Sequence, residues 1–74
     1  MKIELISCSA PRPDRRAIAK SFTEYAVHMD HALAMELTEI LLDGTAVDLE
    51  LHDNTSNSAL RIFRKLSIDY EFVE

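Results

Sequence analysis

The stretch Asp30-His31-Ala32-Leu33-Ala34-Met35-Glu36-Leu37-Thr38-Glu39-Ile40-Leu41-Leu42-Asp43-Gly44, running on through Thr45-Ala46 into Val47-Asp48-Leu49-Glu50-Leu51, holds two periodicities with a sharp boundary between them. Asp30 stands where a helix N-cap is needed: its carboxylate accepts from first-turn amides that have no intrahelical partner, and Met29 can pack across the junction as a staple. From His31 to about Asp43 apolar residues recur at helical spacing, with Leu33, Leu37, Ile40 and Leu41 as the expected core face. Gly44, the only glycine of the chain, closes the helix as a left-handed C′ residue. Beyond it Val47 to Leu51 alternates apolar and charged residues, the pattern of a strand with one face on a core and one in water.

Reading outward from this unit adds two more strands and two more helices. Toward the N-terminus, Lys2 to Ser7 forms a short β-favouring run with Ile3, Leu5 and Ser7 on one side and Glu4 and Ile6 on the other. Ser9-Ala10-Pro11-Arg12-Pro13 ends it, because two prolines remove ladder donors and hold the preceding residues extended. A helix is expected from Pro13, with Asp14 near the positive end of its dipole and Ile18, Phe22, Tyr25, Ala26 and Met29 as its buried stripe. Toward the C-terminus, the polar turn His52-Asp53-Asn54-Thr55-Ser56 feeds a third helix burying Ala59, Ile62, Phe63 and Leu66, with Arg64 and Lys65 in its last turn. Tyr70 to Val73 reads as the last strand. Each helix has one apolar stripe and needs a common surface, so the expectation is a single α+β domain over residues 1–74. It has two layers, a three-stranded sheet with three helices on one face, in the order β-α-α-β-α-β.

Composition narrows the function. A chain of 74 residues has room for one core and little for a deep cleft. Eight basic residues against thirteen acidic give a formal net charge of −5, which opposes general binding to a phosphate backbone. Cys8 is the only cysteine, which excludes an internal disulfide and a thiolate zinc cage. The N-terminal apolar run is too brief for a signal peptide or a membrane span, so a cytoplasmic protein with no membrane partner is expected.

The order of elements together with the string at the second helix resembles the C-terminal domain of the bacterial ribosomal stalk protein. In that family the second helix opens Gly-Leu-Gly-Leu, continues Lys-Glu-Ala-Lys and ends Val-Asp-Gly before the next strand. In the same register this chain has Ala32-Leu33-Ala34-Met35, Glu36-Leu37-Thr38-Glu39 and Leu42-Asp43-Gly44. The resemblance covers essentially the whole chain and implies a non-catalytic domain that recruits other proteins through its second helix. In the family, lysines there meet acidic translational GTPases. Glu36 and Glu39 occupy those positions here, and like charges across an interface cost several kcal/mol, so the same recruitment is disfavoured. The fold also resembles the Clp protease adaptor that receives N-terminal degrons, for which Asp30, His31 and Met35 are the nearest equivalents of its amine and side-chain pockets.

No nucleophile elbow, phosphate-cradling glycine loop or spaced carboxylate pair is present, so no catalytic residue and no cofactor is expected. His28, Asp30, His31, His52 and Asp53 are the nearest thing to metal ligands, but their spacing matches no metal motif and Asp30 is better explained as a cap, so no metal is expected. Cys8 reads as a small buried hydrophobe at a strand end. The leading expectation is a partner-binding face on the second helix formed by Ala34, Met35, Glu36 and Glu39, directed at a protein with a basic surface. The alternative is a basic face of Arg61, Arg64 and Lys65 on the third helix, suited to nucleic acid or the ribosome. Self-association through an open edge strand is a third route.

Overall fold

The computed structural model describes residues 1–73. The elements are β1 (Lys2–Cys8), α1 (Arg15–Tyr25), α2 (His31–Leu42), β2 (Val47–Glu50), a 3-10 turn at Asp53–Thr55, α3 (Ser56–Lys65) and β3 (Ile68–Val73). β1 lies at the centre of a three-stranded antiparallel sheet of order β2-β1-β3. α2 packs over β1 and β2, α3 packs over β3, and α1 lies against both helices, giving the two-layer α+β arrangement.

Cross-strand register decides the two faces of the sheet. Ile3 stands opposite Leu49 and Phe72, and Leu5 opposite Val47 and Tyr70. Directly opposed residues share a face, so these side chains form the helix-covered side. Lys2, Glu4, Asp48, Glu50, Glu71 and Val73 form the open side. Between Leu5 and Ser7 the pairing with β3 slips, a bulge that reverses the alternation beyond it. Cys8, not Ser7, therefore turns to the core, while Ser7 Oγ donates to Asp69 Oδ2 at 3.3 Å on the open side. The expected face Ile3-Leu5-Ser7 is corrected accordingly.

α1 is shorter at both ends than the sequence suggests. Asp14 is its N-cap, with Oδ1 accepting from the Ala17 amide at 3.1 Å, so the helix opens at Arg15. It stops at Tyr25 because two competing bonds draw the next residues alongside β2. The Val27 amide donates to the Glu50 carbonyl at 2.7 Å, and the His52 amide donates to the Tyr25 carbonyl at 3.1 Å. Ala26 thus bridges Leu51, and the chain turns through a left-handed His28 (φ 56°) to reach α2, leaving Met29 off the α1 stripe.

The core is aliphatic around one aromatic pair. Phe22 of α1 and Phe63 of α3 meet edge to face at 6.2 Å and 74°, above the fully buried Ile3 and Leu5. Burying side chains of this size stabilises by roughly 1.5–3 kcal/mol each. In α3 the buried residues are Ser56, Ala59, Leu60 and Phe63, with Ile62 and Leu66 only half-buried. β3 begins at Ile68, before the expected Tyr70, because a left-handed Ser67 (φ 62°) reverses the chain at once and its carbonyl accepts from the Ser9 amide.

Candidate functional site: the outward face of the second helix

α2 is held firmly at both ends. Asp30 Oδ1 accepts from the Leu33 amide at 2.7 Å, as a cap should. At the other end Gly44 adopts φ 99°, its amide donates to Leu41 and the Thr45 amide donates back to Ile40, the paired bonds of a Schellman closure. Between these ends the helix carries more apolar side chains than one buried stripe accommodates. The buried residues are Ala34, Thr38 and Leu41. α2 packs against α1 as well as β1 and β2, and the small residues Ala34 and Thr38 suit close approach on that buried side. The Thr38 hydroxyl is satisfied within the interface by the Ala34 carbonyl at 2.7 Å.

Two corrections follow. Leu33 and Ile40, expected in the core, remain 39% and 36% exposed, and Leu37 is half-buried. Ala34, expected at a partner surface, is 0% exposed on the buried side of the helix, so no partner can reach it. Met35 is half-buried and packs against the core. Glu36 is exposed and has no ion-pair partner among the described residues. Glu39 is exposed but engaged: Arg15 Nε of α1 lies 2.8 Å from its Oε2, which offsets the unfavourable placement of an anion toward the C-terminal end of a helix. The surface that α2 presents is thus a stripe of Leu33, Leu37 and Ile40, with Glu36 between its ends. Sequence reasoning missed Leu33 and Ile40 as surface residues, while Leu37 is half-buried against the core. The signal that could have found them was the excess of large side chains over what one stripe holds.

Elsewhere the chemistry is sparse. Arg16, Ala19, Lys20, Thr23, His31 and Met35 line a groove between α1 and α2. Arg16 and Lys20 line it and no carboxylate does, while Asp30 Oδ1 caps α2. Arg61, Arg64 and Lys65 are exposed on α3, where Arg64 Nε donates to the Tyr70 hydroxyl at 3.1 Å. The Met1 ammonium lies 2.8 Å from Asp53 Oδ1; this hydrogen bond, helped by the positive charge itself, holds the Asp53 carboxyl below the usual carboxylate range. Among the described residues no three His, Cys, Asp or Glu side chains converge as a metal site would require, and no helix is long and apolar enough to cross a membrane. Comparison with known protein families, with curated proteins and with solved structures returns no match for this chain.

Proposed function

We propose that this chain is a non-catalytic protein-interaction module of the ribosomal stalk C-terminal type. Its working surface is the outward face of α2, and its partner presents a basic, partly apolar surface. One observation carries the reading: Leu33 and Ile40 stay exposed on a capped helix whose core contacts are already made by Ala34, Thr38 and Leu41. Apolar side chains aligned along a helix and accompanied by a free carboxylate suit a complementary surface that supplies its own apolar stripe and cations. Leu33, Leu37 and Ile40 supply contact area, Met35 adds an adaptable margin, and Glu36 sets on-rate and orientation through opposite charge. Glu39 contributes less to a partner than Glu36, since Arg15 already shares its charge.

The test is quantitative capture from a lysate of the source cells by immobilised wild type, Glu36→Lys, and Leu33→Ser/Ile40→Ser. All three are first checked for unchanged secondary structure by circular dichroism. The expected result is a protein retained by wild type and lost by both variants, with retention falling as salt rises. Equal retention by all three removes the α2 face from the reading.

A further inference from the structure

β3 is an edge strand, and the backbone alternation fixes what its free side offers. The Leu51 amide donates to the Met1 carbonyl and the Met1 ammonium donates back to the Leu51 carbonyl. That reciprocal pair points alternate residues of β1, from Met1 through Ile3, at β2, and so points Lys2 and Glu4 at β3. Their partners on β3, Val73 and Glu71, face inward, which leaves the amide and carbonyl groups of Tyr70 and Phe72 directed out of the sheet. Among the described residues no other backbone group pairs with them. Such an edge is a template for another strand. Ile68–Val73 contains no proline and no lysine, the bulge of this sheet involves the pairing with β1, on the other side, and the charges that guard the edge are Asp69 and Glu71. On the helix-covered face Phe72 is 61% exposed, held edge to face against Tyr70 at 5.9 Å.

The charges say which strand fits. Asp69 and Glu71 stand on the open face of β3 beside Glu4, and none of the three has an ion-pair partner among the described residues. A second copy added across a two-fold axis has to keep its helices on the same side, so the axis must pass through a residue. The two registers that overlap most of the strand centre on Tyr70, which sets Glu71 against Asp69, or on Glu71, which sets it against itself. Either places carboxylate opposite carboxylate, a destabilising cross-strand pair. An acidic strand meets the same repulsion, and a basic one is attracted.

We infer that the β3 edge accepts an extended segment of a different protein in which apolar and basic residues alternate. The apolar side chains lie along Tyr70 and Phe72 and the basic ones along Asp69 and Glu71, with main-chain bonds to Tyr70 and Phe72. α3 packs on the face of β3, and this edge lies across the sheet from β2 and α2, so the inference is independent of the α2 reading.

The test uses the full chain and two end-capped synthetic peptides, one alternating valine and lysine, the other valine and glutamate. Amide hydrogen exchange and NMR shift titration are read at each backbone position. The lysine peptide is expected to slow exchange at Tyr70 and Phe72 and to bind roughly tenfold more tightly than the glutamate peptide, the ratio that a few cross-strand pairs turned from repulsion to attraction produce. Glu71→Gln should narrow that ratio without disturbing the fold, and Asp69→Lys/Glu71→Lys should invert it. Equal binding of both peptides, no protection at Tyr70 and Phe72, or protection that grows with protein concentration alone as sedimentation shows a dimer would overturn the inference. The last outcome would make a second copy the occupant.

Discussion

Ile40 and Leu41 are neighbours in sequence and similar in size, yet they stand about 100° apart around α2, a direct consequence of 3.6 residues per turn. Leu41 is 1% exposed within the main cluster and Ile40 is 36% exposed at its margin. Leu41→Ala removes carbons that the surrounding core cannot replace, and the expected cost is about 2–5 kcal/mol, transfer and cavity terms together. Ile40→Ala removes a side chain already partly in water and leaves no enclosed cavity, while alanine is the better helix former. The expected cost is about 1 kcal/mol or less. A domain of this length has a total stability of roughly 4–11 kcal/mol, so the first change removes a large share of it and the second a small one. Urea unfolding followed by circular dichroism at 222 nm reads both, with the slope expected to stay constant so that midpoints compare directly. If Ile40→Ala costs as much as Leu41→Ala, the helix is rotated about its axis relative to the description above, and the proposed α2 surface disappears with it.

Three further outcomes are expected. A double-mutant cycle on Arg15 and Glu39 should give a coupling below about 1 kcal/mol that shrinks in high salt, because both groups are largely exposed; a coupling unmoved by salt would contradict that. Ser67→Gly should stabilise by about 0.5–1 kcal/mol, since a left-handed φ of 62° strains serine and the bond from the Ser9 amide to the Ser67 carbonyl survives the change. A lower thermal midpoint would count against this. For Asp53 the folded carboxyl titrates below its unfolded value, so its contribution is present above the usual carboxylate range and lost as pH falls through the lowered folded value. NMR titration of that carboxyl in protein acetylated at the N-terminus should return it to the usual range, and an unmoved titration would show that the Met1 ammonium is not the cause.

The fold was legible because its boundaries are written in local chemistry. Asp30 and Gly44 bracket α2 wherever the helix packs, and Val47 to Glu50 alternates regardless of its neighbours. What escaped was decided by tertiary competition. Nothing near Tyr25 in the sequence announces that the Glu50 carbonyl will capture the Val27 amide and end α1 there. Nothing in Ile3 to Cys8 marks the bulge that sends Cys8 inward. The candidate site was half legible for the same reason. Glu36 reads as exposed on any account, but choosing between Ala34 and Leu33 for the core face requires the rotation of α2 about its axis, which its packing on α1, β1 and β2 decides.

The open face of the sheet carries a feature that the core does not explain. Asp48, Glu4 and Glu71 lie in one cross-strand row, each directly opposite the next, and like charges so placed work against the pairing they sit on. The helix-covered side more than compensates, since Ile3, Leu5, Val47, Leu49 and Ile68 on the reverse of the same strands are all buried. The acidic row therefore costs a stability that the domain tolerates, and its physical effect falls on other chains. Carboxylates lining the bare sheet face oppose stacking on a second copy, and Asp69 and Glu71 oppose extension of the edge into one. The β3 inference rests on these same charges, since what repels a second acidic copy attracts a strand of opposite sign.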